Sequence, residues 1–327
     1  MARMRFIQAI NRALVEEMSR DPKVILIGED VEASIFGDTR GLLEKFGPDR
    51  VRNTPISEQA LTGMAVGAAA NGYRIVLHMM FANFIYTGFD AIANQMAKLR
   101  LMTGGQITLP ITVIANYGAG RSTAAQHSDT PFSLLMNLGG IEVAAPSTPD
   151  NALGLLKSAI RSDNPTFFLE PGGRGGDSGD VPDGDRLTPL GEARLLKAGN
   201  DLTLITMGSM TRMTLQTAKK LDVMGISAGV LDLQSLVPLD EASILKEAGK
   251  TGRVIIVEES RDRCSAASHI AAVLADRGFH SLKAPVRRIT VPDTAMPYAP
   301  SAELPLLPNA ESIISVAKAL AEEGRST

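Results

Sequence analysis

The 327-residue sequence has no tryptophan and a single cysteine, Cys264. One thiol cannot form a disulfide within the chain and cannot build a Cys-rich zinc site. That usage suits a reducing compartment, so a cytoplasmic location is expected. Aromatic residues make up only 4 %, which leaves few rings for stacking on bases. Neither charge dominates: 33 basic residues face 36 acidic ones, for a formal net charge of -3. No field is therefore built for nucleic acid, although a local basic patch stays open. No apolar run approaches the ~20 residues that a membrane span needs, so no membrane partner is expected. The first twenty-one residues are amphipathic and contain Glu16 and Glu17. That suits a surface helix and not a signal or transit peptide. A GxGxxG after a strand and a GxxxxGK[ST] loop are also missing, so dinucleotide and P-loop binding have no fingerprint.

What is present is an ordinary globular composition, 44 % hydrophobic and 21 % charged, with length for two domains. Short apolar runs at 24–28, 74–81, 111–117, 141–146 and 166–171 read as buried parallel strands. Helical patterns lie between them at 6–20, 57–71, 86–101 and 148–162, the last opened by Thr148-Pro149. The stretch 171–186 is dominated by Gly, Asp and Pro and reads as a flexible linker. After it the alternation resumes, with strands at 202–208, 228–233, 253–259 and 286–291. Helices are expected at 210–224, 265–277 and 311–323. This pattern predicts an α/β protein of two doubly wound domains, 1–187 and 188–327. Such sheets bind ligands beyond the carboxyl ends of their strands, which directs attention to Glu29, Asp30, Phe81, Phe84 and the loop after Tyr117.

Three segments could carry chemistry. In the first, Ser57 is a plausible N-cap and Glu58 falls in the first turn of a helix, where unpaired amides favour an anion. Glu58 is either functional or only a favourable first-turn charge. The helix behind it contains Gly63 and Gly67, each costing about 1 kcal/mol against Ala. Those glycines suit close approach of another backbone, within the chain or across a subunit contact. In the second, residues 118–131, the flexible setting suits His127 for proton transfer near neutral pH, or leaves it merely solvated. His127-Ser128-Asp129 are adjacent in sequence and do not make a Ser-His-Asp triad. In the third, Met80, Phe81, Phe84 and Phe89 could wall an apolar pocket or simply fill the core. His269 reads as partly buried packing, His280 as a turn residue and Cys264 as structural.

The chain resembles the beta subunit of the thiamine-diphosphate-dependent 2-oxo acid dehydrogenase first components, which include the pyruvate, branched-chain and acetoin enzymes. The markers are IGEDV (27–31), NTPISE (53–58), GMAVGAAANGYR (63–74), FANF (81–84), AKLRLMTGGQ (97–106), QHS (126–128) and LKSAIRSDNP (156–165). In the second half they are PLGEARLLKAG (189–199), LDLQSLVPLD (231–240), KTGRVIIVEE (250–259) and APVRRITVPD (284–293). Their order and spacing span nearly the whole chain. The resemblance implies that Glu58 hydrogen-bonds a ring nitrogen of the cofactor's aminopyrimidine. It also implies that Glu29, Ile56, Met80 and Phe84 help bind thiamine diphosphate. His127 matches a loop histidine near the substrate that serves acyl transfer to a lipoyl arm. Backbone carbonyls matching Ala159, Ile160, Ser162 and Asn164 would offer a potassium site.

No GDG…NN segment is present, the element that holds magnesium and the diphosphate in thiamine enzymes. The resemblance therefore implies half an active site. It implies an α2β2 heterotetramer with an alpha subunit holding the magnesium, contact with a second beta chain, and docking on a lipoyl acyltransferase core. The substrate would be a small 2-oxo acid such as pyruvate. The sequence departs from the family pattern at Glu32, at His78 where a Glu is common, at Ala91, at Asn137 and in 171–186. The departures at His78, Ala91 and Asn137 motivate one alternative, an acetoin dehydrogenase beta subunit or related carboligase. A second alternative, of a different class, is a non-catalytic assembly subunit, against which Glu58, Met80, Phe84 and His127 argue.

Overall fold

The computed structural model describes residues 1–322; residue 323 of the expected last helix lies outside them. The chain divides into two compact units. The first comprises Met1–Tyr117 and Leu134–Leu190, and the second Gly118–Ser133 and the residues from Gly191 onward. The second boundary lies close to the break expected from composition, at Leu190/Gly191. The excursion of 118–133 into the second unit was not legible, because its residues follow a strand of the first without any change in composition.

In the first unit, Ile111–Tyr117 lies at the centre of a parallel sheet. Arg74–Phe81, Val24–Gly28 and Val51–Asn53 follow on one side, Thr166–Pro171 and Glu142–Ala144 on the other. Ile111–Tyr117 and Thr166–Pro171 are buried along their whole length, as strands covered on both faces must be. Helices Phe6–Arg20 and Pro149–Arg161 cover one face, with Phe6, Ile10, Leu14, Leu153, Leu156 and Ile160 in one apolar core. Thr148 caps the second of these helices by accepting from the Asn151 amide, with Pro149 in the first turn. The buried Lys157 ties the two helices together through Glu16 at 2.6 Å. Arg161 reaches the buried Glu17 at 2.7 Å.

Two segments differ from expectation. The stretch 171–186 is not a featureless linker: Ser178–Val181 pairs antiparallel with Ala2–Arg5. Its Gly and Asp residues masked a short strand that is specified by its partner and not by its own periodicity. The helix expected over 86–101 is broken into a 3₁₀ turn at Ala82–Tyr86, a π-helical turn at Ala91–Met96 and a short helix at Leu99–Met102. Gly88 explains part of the break. A Cβ there would stand 2.8 Å from Thr62 Oγ1 and 3.0 Å from the Glu58 carbonyl oxygen, so this backbone lies directly on the first turn of the Glu58–Ala70 helix.

The second unit is a sheet ordered Arg287–Val291, Val254–Arg261, Leu202–Thr206, Ala228–Asp232 and Arg194–Lys197. Its first four strands run parallel, and the edge strand Arg194–Lys197 is antiparallel. Helices Thr211–Val223 and Ala310–Glu322 share a core of Leu202, Val230, Ile255, Ala218, Ile313 and Ala317. His269 is exposed and not packed, and Cys264 is exposed with a left-handed φ of 55°. Glu258 is fully buried and accepts from the amides of Ala266 and Ala267 at the start of helix Ala266–Arg277, an acceptor placed where unpaired amides need one. No described helix is long and apolar enough to cross a membrane.

A Cβ on Gly28 would lie 2.4 Å from the carbonyl oxygen of His78 on the neighbouring strand. Gly28→Ala is expected to lower the unfolding free energy by at least about 2 kcal/mol, because backbone and not a flexible side chain must move. Urea denaturation would measure it, and an unchanged midpoint would refute the close approach.

Candidate active site

The carboxyl end of the first sheet collects the expected residues. Val24–Gly28 ends directly before Glu29, and Arg74–Phe81 ends in an irregular stretch where its register with Ile111–Tyr117 shifts between His78 and Phe81. Met80 sits in that bulge with φ 35°, and Asp30 has φ 51°. A left-handed non-glycine backbone is costly, and such residues cluster where a site over-determines them. Met80, Phe81, Phe84 and Phe89 are all half-buried, which places them at a wall and not in the core. Phe81 stands edge-on to both Phe36 (5.5 Å) and Phe84 (5.7 Å).

Glu58 is the first residue of helix Glu58–Ala70 and is half-buried. Ser57 occupies the N-cap position, but its side chain makes no capping bond, so the amides of the first turn stay available to other acceptors. Ile56 is 81 % exposed. Glu29 is buried, and its Oε1 has no partner. Burial pushes the Glu29 carboxyl above its ordinary value, and the charges of Glu58 and Asp30 add to the shift while His78 opposes it. Glu29 and Glu58 thus act on one another electrostatically at one end of the sheet. A buried carboxyl with a raised pKa at the end of a sheet is a functional-site candidate.

Behind them lies a pair that sequence reading marked only as a departure. His78 Nε2 meets Asp38 Oδ2 at 2.8 Å, and both side chains are buried. Phe36 stacks on the imidazole at 6.0 Å. Glu29, Asp38, His78 and Met80 line one small cavity. Burial alone would lower the imidazole pKa, but the charge and hydrogen bond of Asp38 raise it above the ordinary value, helped by Glu170 and Glu29. The same pairing outweighs burial at Asp38 and holds its carboxyl below the ordinary value. Asp38 was missed because it lies in a loop forty residues from His78; no spacing rule connects them.

His127 lies elsewhere. It ends a 3₁₀ turn at Ala125–His127, half-buried, in the segment that packs with the second unit. The structure therefore brings Glu29, Glu58, Met80 and Phe84 into one unit and puts His127 in the other. The carbonyls carried over as potassium ligands already have a cationic neighbour. Arg74 donates to the carbonyl oxygens of Ile160 (3.2 Å) and Ser162 (2.9 Å), and the Ala159 carbonyl accepts from the Ser162 amide at 3.2 Å. Asn164 uses its side chain on Arg100 and Glu142. The guanidinium supplies the positive charge there, so these residues do not by themselves fit a potassium cage. Among the described residues, no group of three or more His, Cys, Asp or Glu is placed to hold a metal.

Beside Glu58, an apolar groove of 590 Å³ runs along Ile25, Ile27, Pro55, Ala60, Met64 and Tyr73. Gly63 and Gly67 lie on the same helix, and a Cβ on either would meet nothing within 4 Å. Among the described residues, no backbone makes the close approach expected at these glycines.

The division into two α/β units agrees with the family comparisons, which match two successive domains. The model for the pyrimidine-binding domain of transketolase matches residues 2–175, and that for the transketolase C-terminal domain matches 191–313. The chain belongs to the transketolase-like family, and within it to the beta subunits of the 2-oxo acid dehydrogenase first components. It is 42 % identical over 322 residues to the beta subunit of acetoin:2,6-dichlorophenolindophenol oxidoreductase of Bacillus subtilis, covering 94 % of each chain. It is 39 % identical over 325 residues to the pyruvate dehydrogenase E1 component beta subunit of the same organism, covering 98 % of this chain and 100 % of the relative. Among solved structures, a split-gene transketolase described as an inactive beta4 tetramer matches with a TM-score of 0.80 and 25 % identity, over 98 % of both chains.

The His78–Asp38 pair generates a pH prediction. A histidine whose folded pKa is raised contributes stability that is complete below its unfolded value, about 6.5. That stability is lost as the pH rises through the folded value. The unfolding free energy should therefore fall from pH 6 to pH 9, and Asp38→Asn should flatten that slope while costing about 3–5 kcal/mol at pH 6. Urea titrations at both pH values would test it. An unchanged slope in Asp38→Asn would rule the pairing out as its source.

Proposed function

We propose that this chain supplies the pyrimidine-binding half of a thiamine-diphosphate-dependent 2-oxo acid dehydrogenase first component, and that it turns over only with an alpha subunit. The observation that carries this reading is the placement of two carboxylates, Glu29 and Glu58, at the carboxyl end of the first sheet. Glu58 stands at an open helix N-terminus, and Glu29 has a buried oxygen without a partner. A flat heteroaromatic ring with hydrogen-bonding nitrogens fits such a setting, flanked by Met80 and by the half-exposed edges of Phe81 and Phe84.

When bound, thiamine diphosphate supplies a carbon nucleophile and an electron sink for decarboxylation. Glu58 holds a proton between its carboxylate and a ring nitrogen of the pyrimidine, helped by the first-turn amides that favour its charge. Glu29 places a second, buried carboxyl at the same end of the sheet, its pKa raised chiefly by burial. Met80 and Phe84 exclude water from one side of the ring. His127 moves a proton near the substrate carbonyl and the arriving lipoyl arm.

The diphosphate and its magnesium are assigned to the alpha subunit, since nothing among the described residues of this chain provides an acidic metal cluster. The inactive beta4 assembly of the split-gene transketolase supports the need for a second kind of chain. The open face at Gly63 and Gly67, beside the apolar groove, is the seat we assign to a neighbouring subunit in an α2β2 assembly. A lipoyl acyltransferase core is the proposed acceptor. Potassium is left out of the proposal, because Arg74 already serves two of its carbonyls.

Two experiments test this reading. Glu58→Gln in the co-expressed αβ assembly should lower turnover of the preferred 2-oxo acid about 10²–10⁴-fold while the assembly stays intact. Full turnover by that variant, or by this chain alone, would overturn it. Gly67→Leu should leave the isolated chain as stable as before, because a Cβ there meets nothing. It should prevent co-purification with the alpha subunit, and normal co-purification would remove this face from the contact. Assaying pyruvate, branched 2-oxo acids and acetoin side by side fixes the substrate.

A further inference from the structure

The segment that carries His127 is held by carboxylates of the second unit, and this arrangement has no counterpart in the reading above. Residues 118–124 run in an irregular course. Gly118 and Gly120 have φ of 92° and 85°, and Ser122 and Ala124 have φ of 54° and 60°. Such a course turns successive backbone N–H groups outward to form an anion-binding concavity. Two buried glutamates fill it. Glu303, 1 % exposed, accepts from the Gly120 amide at 2.8 Å through one oxygen and from the Ser122 amide at 2.9 Å through the other. Glu259 accepts from the Ala119 amide and from the Ser209 hydroxyl. A Cβ on Gly118 would lie 2.8 Å from a Glu259 oxygen, so only glycine allows the carboxylate this close. Arg261 then holds Asp129 at 2.7 Å on the far side of the turn.

Between these anchors, the turn with His127 is closed by its own side chains. Thr123 Oγ1 donates to the His127 carbonyl at 3.2 Å, and Ser128 Oγ donates to the Ala124 carbonyl at 2.6 Å. The Glu303 and Glu259 bonds to the entry of this turn come from residues of the second unit, and the strained non-glycine positions Ser122 and Ala124 lie at or beside the Glu303 contact. A left-handed residue persists only where its surroundings over-determine it. Here the over-determining group is a buried carboxylate with both oxygens engaged. A hydrogen bond to a charged group is among the stronger ones available.

We propose that Glu303 is a positioning residue for His127. Its carboxylate holds the 118–124 backbone in the one conformation that presents the imidazole to the substrate, and Glu259 supports it. This rests on the reading of His127 as an active-site residue. Glu303 touches no reacting atom; it acts through two amides.

The test uses the αβ assembly with Glu303→Gln, Glu303→Ala and His127→Ala, read by kinetics and by hydrogen exchange of the 118–124 amides. Glu303→Gln keeps the size but can satisfy only one of the two amides. It should lower kcat about tenfold, and Glu303→Ala should lower it further, with KM for the 2-oxo acid changing less than twofold. Cofactor affinity and the melting temperature of the Gln variant should stay near those of the parent, while the Gly120 and Ser122 amides exchange at least tenfold faster. A merely structural glutamate would lower stability without that kcat-selective loss. Unchanged exchange at those amides overturns the proposal whatever the activity. Faster exchange with parental kcat, alongside an impaired His127→Ala, also overturns it. If His127→Ala itself has parental activity, the functional reading of His127 fails, and the positioning role falls with it.

Discussion

Two neighbouring parallel strands approach so closely at Gly28 that no side chain fits between them. The carbonyl of His78 occupies the place a Cβ would take. That contact fixes where Val24–Gly28 ends and therefore where Glu29 begins. It also brings the His78 strand within reach of the loop that carries Asp38, so that a buried ion pair closes behind the carboxylates. The rest of the first unit's site follows from this crossing. The strand bulges directly after His78, and Met80 takes up a left-handed backbone there. The aromatic residues that follow then form a half-exposed wall in place of a continuous helix.

The electrostatics of the site rest on the same geometry. Burying Glu29 without a partner for one oxygen is costly, and burial raises its pKa above the ordinary value while the charge of His78 opposes that rise. Asp38 in turn keeps the His78 imidazole more basic than usual.

The two units contribute differently. The first supplies a rigid strand-end platform whose strands are buried on both faces. The second supplies the backbone trap for the segment 118–133, using carboxylates that sequence reading could treat only as the end of a strand or part of a tail. Glu259 follows an apolar run and Glu303 sits in a four-residue turn of helix at Pro300–Glu303. Neither has a partner that sequence spacing could indicate, because the amides they bind lie 140 and 183 residues away in Ala119 and Gly120.

The sequence by itself determined the alternation of strands and helices, since hydrophobic periodicity is local and survives without knowledge of partners. It also determined the candidate residues Glu29, Glu58, Met80, Phe84 and His127, because their motifs are contiguous. Tertiary structure decided the remainder. It turned a Gly/Asp-rich stretch into a strand by giving it Ala2–Arg5 to pair with, and it broke a periodic helix where Gly88 lies on the Glu58 turn. It gave His78 to Asp38, Arg74 to the carbonyls expected for potassium, and the His127 segment to the second unit. In each case the deciding force was a contact between residues far apart in the chain. Pattern along the sequence reports which face a residue prefers but not which distant group will meet it there.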